Sequence, residues 1–256
     1  MHTSKNNVVV MGGVHGDERL GVKILERLKK DMTSWKIDGE LNLILGNPPA
    51  YEKNIRFIDA DLNRLFGEDS ESLTYLKNPN YEQKRAVEIG KILKNADFLV
   101  DIHSTIKPSI PFLYTENTEK NLQFAQLFDV EFVVSPAKDF RPKDLFSSAD
   151  NFVDRHGGIG FTYESGWQKD DSSEDSVYNS VLRFLKAAGV INIDLPAYPP
   201  KKITHLEIYN HIIADKNEFT FPHDYANFDK VNNSYIIFPK KNFTAGKVAC
   251  YLAHKI

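Results

Sequence analysis

Short apolar runs that end in glycine or polar residues alternate along the chain with longer segments in which apolar residues recur at helical spacing. The short runs predict β-strands, at residues 7–11, 41–45, 98–102, 132–134 and 159–163. The longer segments predict amphipathic helices, at residues 19–30, 81–94 and 175–188. Because strands and helices alternate, the pattern is typical of an α/β protein.

The pattern changes near residue 195. Residues 195–202 contain three prolines, which disfavour a continued helix or a central strand. Short β-type runs follow, at residues 203–213, 219–222, 235–238 and 247–252. We therefore predict two domains, one of residues 1–195 and a small β-rich one of residues 196–256.

Composition limits the classes of function. The 256 residues are 41% hydrophobic and 26% charged, as in ordinary globular proteins, and the net charge of -3 offers no basic face for nucleic acid. Cys250 is the sole cysteine, the first residues lack the apolar segment of a signal peptide, and no apolar run approaches the length of about 18 residues needed to span a membrane. We expect a soluble cytoplasmic protein with neither nucleic acid nor a membrane as partner.

Polar residues follow four of the predicted strands. His15 and Glu18 come after the first, Asn47 after the second, His103 after the third, and Glu164 after the run at residues 159–163. In open α/β sheets, ligands bind beyond the carboxyl ends of the strands. Two histidines and one carboxylate leave a fourth position for water, which is the catalytic arrangement of zinc. The pattern therefore indicates a zinc hydrolase.

Each of these residues also has a purely structural interpretation. Glu18 can stabilise the N-terminus of the following helix, His103 can be a hydrogen-bonded histidine at a strand end, and Glu164 can belong to a turn. Asp101 is a candidate to orient the imidazole of His103. Whether these two side chains share a face of the strand stays open.

Arginines, aspartates and an asparagine are interleaved at residues 54–66. Arg56 and Arg64 can form ion pairs with Asp59 or Asp61 in a solvated loop. They can also bind an anion, because arginine suits bidentate carboxylate recognition and Asn63 adds an amide donor.

Five motifs, taken together and in this order, resemble the succinylglutamate desuccinylase and aspartoacylase family, which belongs to the zinc carboxypeptidase-like folds. They are Gly-Gly-Val-His-Gly-Asp-Glu at residues 12–18, Asn47-Pro48, residues 56–64, Asp101-Ile102-His103-Ser104 and Tyr163-Glu164-Ser165-Gly166. The resemblance covers residues 8 to about 166 and implies a mixed, mostly parallel central sheet flanked by helices, with a small C-terminal β domain.

The resemblance also implies roles. His15, Glu18 and His103 would bind one zinc ion, and Arg56 would polarise the scissile carbonyl. Asn63 and Arg64 would bind a carboxylate of the substrate, and Glu164 would be the general base. The expected reaction is cleavage of the amide bond of a small anionic N-acyl amino acid.

Several points stay open. Arg141 and Arg155 are weaker candidates for a further substrate-binding cation, and no motif chooses among three late tyrosines, Tyr225, Tyr235 and Tyr251, or assigns the hydroxyls of Ser104 and Thr105. A zinc carboxypeptidase, a zinc esterase and a non-catalytic binding relative are the alternatives. A serine hydrolase is disfavoured because the chain has no Gly-x-Ser-x-Gly motif.

Overall fold

The computed structural model of the protein describes residues 5–68, 70–199, 201–216, 220–242 and 244–256. The strands within these residues are β1 (Asn7–Gly12), β2 (Glu40–Leu45), β3 (Phe98–Thr105), β4 (Phe112–Tyr114), β5 (Phe132–Pro136), β6 (Ile159–Trp167), β7 (Thr204–Ile213), β8 (Lys230–Val231), β9 (Ser234–Ile237) and β10 (Val248–Lys255). The helices are α1 (Arg19–Asp31), α2 (Pro48–Lys53), α3 (Tyr81–Leu93), α4 (Glu119–Ala125), α5 (Ala149–Arg155) and α6 (Glu174–Ala187), with short 3-10 turns at Met32–Ser34, Leu62–Arg64 and Ser70–Tyr75.

The described strands form one ten-stranded sheet in the order β2-β1-β3-β6-β4-β5-β7-β10-β9-β8. Strands β2, β1, β3 and β6 are parallel, β4 runs antiparallel to β6, and β5 is parallel to both β4 and β7. The last four strands are antiparallel. The predicted α/β fold with a mixed, mostly parallel sheet is confirmed.

Helices cover both faces of the sheet. Helices α1 and α6 pack against one face through a core that includes Ile24, Leu28 and Val181, whereas α3 and α5 pack against the other through Ile89 and Phe152. The three long helices were predicted to within one residue, since their apolar stripes extend over several turns. Helices α2, α4 and α5 and strand β4 were missed because six or seven helical residues, or three strand residues, carry too little periodicity.

A close contact between helix α1 and strand β3 brings the polar residues at the strand ends together. A Cβ added to Gly21 would lie 2.7 Å from the carbonyl oxygen of Ile102, so only glycine permits this approach. Ile102 directly precedes His103, and Glu18 directly precedes α1. The start of the helix is therefore held against the end of the strand.

The predicted C-terminal strands correspond to β7, β9 and β10. Of the run predicted at 219–222, Phe219 lies outside the described residues, and residues 220–222 form no strand. Strand β7 pairs with β5, so the C-terminal strands continue the main sheet. The division into domains at residues 195 and 196 stays a prediction.

Among the described helices, none combines the length and apolar character that crossing a bilayer requires.

Candidate active site

Three predicted ligands, His15, Glu18 and His103, meet at the carboxyl ends of β1 and β3. Glu18 lies between the imidazoles, with Oε1 2.7 Å from Nδ1 of His15 and Oε2 2.9 Å from Nδ1 of His103. Each residue is only 3% exposed, and one potential ligand atom from each lies within 4.8 Å of the others. The cluster has the size and composition to hold a metal ion.

The other nitrogen of each imidazole contacts a carboxylate. Nε2 of His15 is 3.0 Å from Oδ1 of Asp61, and Nε2 of His103 is 2.8 Å from Oδ2 of Asp101. With the proton on Nε2, each ring donates to its carboxylate and turns the lone pair of Nδ1 towards Glu18. Asp101 and His103 are two residues apart in β3 and therefore share a face, which answers the question left open by the sequence. This donor set fits zinc.

Glu18 is held as an anion. Burial favours a raised pKa, but the neighbouring His15 and His103 hold the pKa of Glu18 well below its usual value. The backbone N–H of Ser104 donates to Oε2 at 3.0 Å, and Arg56 donates to Oε1 at 3.2 Å. An ionised carboxylate is the form that a metal ion requires.

Glu164 lies beside the cluster, opposite His103 in the pairing of β3 and β6. Its side chain is buried, and Oε2 has no hydrogen-bond partner among the described residues. Burial raises the pKa of Glu164 to about 7, opposed by His103 and reinforced by the charge of Glu18. A carboxyl group that titrates near neutrality is suited to accept and return a proton.

The arginine-containing loop is held by Glu82, a residue of α3 that the sequence did not single out. Its fully buried carboxylate accepts three successive backbone N–H groups, at residues 58–60, over 2.7–3.2 Å. Asn47 donates its side-chain amide to the same carboxylate at 2.9 Å and caps α2. Asn47 thus supports the loop, and it is not among the residues that line the pocket beside the cluster of His15, Glu18 and His103.

Arg56 takes its place between two carboxylates, at 3.2 Å from Glu18 and 3.7 Å from Asp61. The side-chain amide of Asn63 lies 3.5 Å from Nε2 of His103, and Arg64 donates to the carbonyl oxygen of Asn63 at 2.8 Å. The pairing of Arg56 with Asp61 that the sequence suggested is therefore present. Both Asn63 and Arg64 also line the pocket beside this cluster.

The pocket has a volume of about 950 Å³. It is lined by the three candidate ligands and by Glu164, Arg56, Asn63 and Arg64. The sequence did not predict that lysines also line it, among them Lys107 and Lys240. Burial, together with the charges of Arg64 and Arg56, lowers the pKa of Lys240 to about 8. The backbone of Lys240 donates to the carbonyl oxygen of Ala249 in β10, which places this lysine at the pocket.

Most of the weaker candidates for substrate binding do not line this pocket. Arg141 pairs with Glu116, Arg155 donates to the carbonyl oxygens of Phe146 and Phe66, and both arginines line a separate cavity of about 1250 Å³. Of the three late tyrosines, Tyr251 lines the pocket, whereas the described residues lining it include neither Tyr225 nor Tyr235.

The two hydroxyls after His103 line the pocket but are engaged within the protein. The hydroxyl of Ser104 contacts that of Ser165 at 2.9 Å, and the hydroxyl of Thr105 donates to the carbonyl oxygens of Lys107 and Gly166. Their contacts therefore indicate a structural role.

Residues 4–185 match the succinylglutamate desuccinylase/aspartoacylase catalytic domain. An N-acyl-aromatic-L-amino acid amidohydrolase (carboxylate-forming) of Xenopus laevis is 35% identical over 105 residues, which cover 39% of this chain and 34% of that protein. The match thus spans about a third of the length of the first curated relatives.

Two further comparisons extend over nearly the whole chain. A succinylglutamate desuccinylase of Pseudoalteromonas atlantica is 24% identical over 291 residues, covering 96% of this chain and 80% of that protein. The crystal structure of a succinylglutamate desuccinylase from Vibrio cholerae superposes with a TM-score of 0.77 at 21% identity, covering 98% of this chain and 82% of the other. The structural likeness is evidence for the fold.

Proposed function

The chain belongs to the succinylglutamate desuccinylase/aspartoacylase family, and from this premise we propose that it is a zinc-dependent hydrolase of a small N-acyl amino acid. The observation that carries the proposal is the buried cluster of His15, Glu18 and His103 beside Glu164. Two histidines and one carboxylate form the ligand set of catalytic zinc, with a position open for water and substrate.

His15, Glu18 and His103 would hold the ion. When bound, zinc supplies Lewis acidity, which polarises a carbonyl group and makes water more acidic. Asp61 and Asp101 would accept hydrogen bonds from the Nε2–H groups of the two imidazoles, which would leave the Nδ1 lone pairs free to bind the ion.

Glu164 would move the proton. Its unpartnered Oε2 accepts a proton from the attacking water and returns it to the amine nitrogen as the amide bond breaks. Arg56, which is 34% exposed at its side chain, offers N–H groups to the oxygen that becomes negative during attack. Losing one such donor costs about 2.7–4 kcal/mol in other hydrolases.

The charges of the pocket support an anionic substrate. Asn63 and Arg64 would bind a carboxylate, and Lys240 adds a cation close to them. The curated relatives are named for N-acyl-aromatic-L-amino acids and for succinylglutamate, which supports an N-acyl amino acid as the substrate class.

The test is the release of free amine from a panel of N-acetyl, N-succinyl and N-formyl amino acids by the zinc-loaded protein. Glu164→Gln serves as the control, because it removes the proton acceptor and leaves the three ligands in place. We expect turnover by the parent and a fall in kcat of roughly 10²–10⁴-fold in the variant, with zinc still bound. Release of C-terminal residues from peptides, or cleavage of esters only, would overturn the substrate assignment and favour a carboxypeptidase or an esterase.

A further inference from the structure

A row of polar side chains lies next to the cluster of His15, Glu18 and His103, on the face of the sheet that α5 covers. Asp101 of β3 is paired with Thr162 of β6, and Thr162 is paired with Tyr114 of β4. Side chains of paired residues project to the same face of a sheet. The three residues therefore form one row, next to the row that contains His103 and Glu164.

The first turn of α5 is brought onto this row by a close contact with β6. A Cβ added to Gly160 would lie 2.2 Å from the carbonyl oxygen of Asp150, so the contact requires glycine. Gly160 lies two residues before Thr162 and hence on the same face. The contact holds the fully buried side chain of Asp150 beside the row.

Three buried oxygen atoms here have no hydrogen-bond partner among the described residues: Oδ1 of Asp101, Oδ1 of Asp150 and the hydroxyl of Tyr114. The second oxygen of Asp101 faces Nε2 of His103, and the second oxygen of Asp150 accepts from Asn151 at 3.1 Å. Neither aspartate forms an ion pair with a lysine or arginine in the described part of the chain. Leaving such groups unsatisfied is costly.

The three groups also interact electrostatically. Burial and the nearby charge of Asp101 raise the pKa of Asp150 to about 6. Burial and the charge of Asp150 raise the pKa of Tyr114 well above its usual value. Asp150 is thus close enough to Asp101 and to Tyr114 for the charge of one group to shift the pKa of the other.

We propose that Asp101, Asp150 and Tyr114 bind one buried water molecule, and that Asp150 and Tyr114 thereby act as positioning residues for the zinc ligand His103. The water accepts from the Tyr114 hydroxyl and donates one hydrogen to Oδ1 of each aspartate, which satisfies all three atoms. Buried waters typically make about three such hydrogen bonds. The water fixes the carboxylate of Asp101, which in turn fixes the imidazole of His103. The inference rests on the proposed zinc site.

The test measures the zinc affinity of the substrate-free protein by competition with a chelator, so that it does not depend on turnover. Tyr114→Phe removes a single oxygen and Asp150→Ala removes the second acceptor. We expect each to weaken zinc binding by about tenfold, the lower end of the loss seen when groups supporting a ligand are removed. Asp150→Asn keeps an acceptor oxygen and should restore affinity to within about threefold of the parent.

A double-mutant cycle separates a shared water from general damage. Because both side chains serve the same water, combining Tyr114→Phe with Asp150→Ala should weaken zinc binding little more than either alone, so that the effects are not additive. Asp154→Asn is the matched control. Asp154 is also on α5, and its buried Oδ2 has no partner among the described residues, but its Oδ1 accepts from the backbone N–H of Gly160 and from the side-chain amide of Asn121. The Asp154→Asn variant should leave zinc affinity unchanged.

Parent-like zinc affinity in both Tyr114→Phe and Asp150→Ala, or additive losses in the double variant, would overturn the inference and leave the zinc site intact. Absence of zinc binding by the parent would instead overturn the proposed function, and the inference with it. If Asp150→Ala does not fold, Tyr114→Phe decides alone, because the ring packing against Phe238 is kept.

Discussion

His103 and Glu164 lie side by side in the parallel pairing of β3 and β6, with both side chains on the same face of the sheet. The hydrogen bonds between these two central strands therefore set the distance between a candidate zinc ligand and the candidate proton acceptor. Groups held on strands keep their relative positions more precisely than groups on loops. For this reason, substitutions of His103 or Glu164 should change metal binding or proton transfer more than they change the local backbone.

The first prediction concerns metal binding. Zinc should stabilise the folded protein, because the unfolded chain does not preform the ligand cluster. At a free zinc concentration 100 times Kd, the free energy of unfolding should rise by about 2.7 kcal/mol. The measurement is Tm with zinc and with a chelator.

His103→Ala should abolish this rise in Tm, whereas His254→Ala, which alters a half-exposed histidine of β10, should retain it. An equal rise in both variants would show that zinc binds elsewhere.

The second prediction concerns substrate anchoring. Arg64→Ala should raise KM by about 10–100-fold, the equivalent of losing a hydrogen bond to a charged group, while kcat changes little. Steady-state kinetics on the substrate found in the amine-release panel provide the measurement. Arg141→Ala is the matched control, because Arg141 pairs with Glu116 at the separate cavity. A fall in kcat at constant KM would argue against simple anchoring by Arg64.

The local motifs were predictable because residues a few positions apart in the sequence stay close in the folded chain. His15 and Glu18 are three residues apart in one turn, so the chain itself keeps them close. His103 and Glu164 each follow an apolar run typical of a buried strand, and parallel strands bring such ends to the same edge. Few other arrangements fit that pattern.

Residues that reach the site through contacts between distant segments have no recognisable pattern in the sequence. Lys240 reaches the pocket because β9 and β10 add to the sheet beyond β7, which no periodicity within residues 235–252 reveals. Glu82 lies in the first turn of α3, where acidic residues usually serve the helix dipole. Its actual role, accepting N–H groups of a loop about twenty residues upstream, depends on the tertiary structure.

The third prediction concerns Glu82. Burial alone would raise its pKa, but the N–H groups of the loop and the amide of Asn47 hold the pKa of Glu82 below its usual value. The stabilisation is therefore present above the pKa of the unfolded chain, about 4.3, and is lost as pH falls through the lower folded pKa. Tm measured from pH 7 to pH 3 should fall more steeply in the parent than in Glu82→Gln.

Glu82→Gln should also lower kcat/KM, because one of the two oxygens that accept N–H groups of the loop carrying Arg56 is replaced by an amide donor. Glu88→Gln is the matched control, since Glu88 is an exposed residue of the same helix and pairs only with Arg85 in the described salt bridges. Identical Tm profiles for the parent and Glu82→Gln would exclude the proposed holding role.

The last prediction concerns Lys240 and pH. Because burial and the charges of Arg64 and Arg56 lower its pKa to about 8, Lys240 is a cation below pH 8 and becomes neutral above it. KM for an anionic substrate should therefore rise between pH 7 and pH 9 in the parent. Lys240→Arg stays charged throughout this range and should flatten the profile, whereas Lys240→Met should show, at every pH, the high KM that the parent reaches near pH 9. An unchanged rise in Lys240→Arg would assign the pH dependence to another titratable group of the protein.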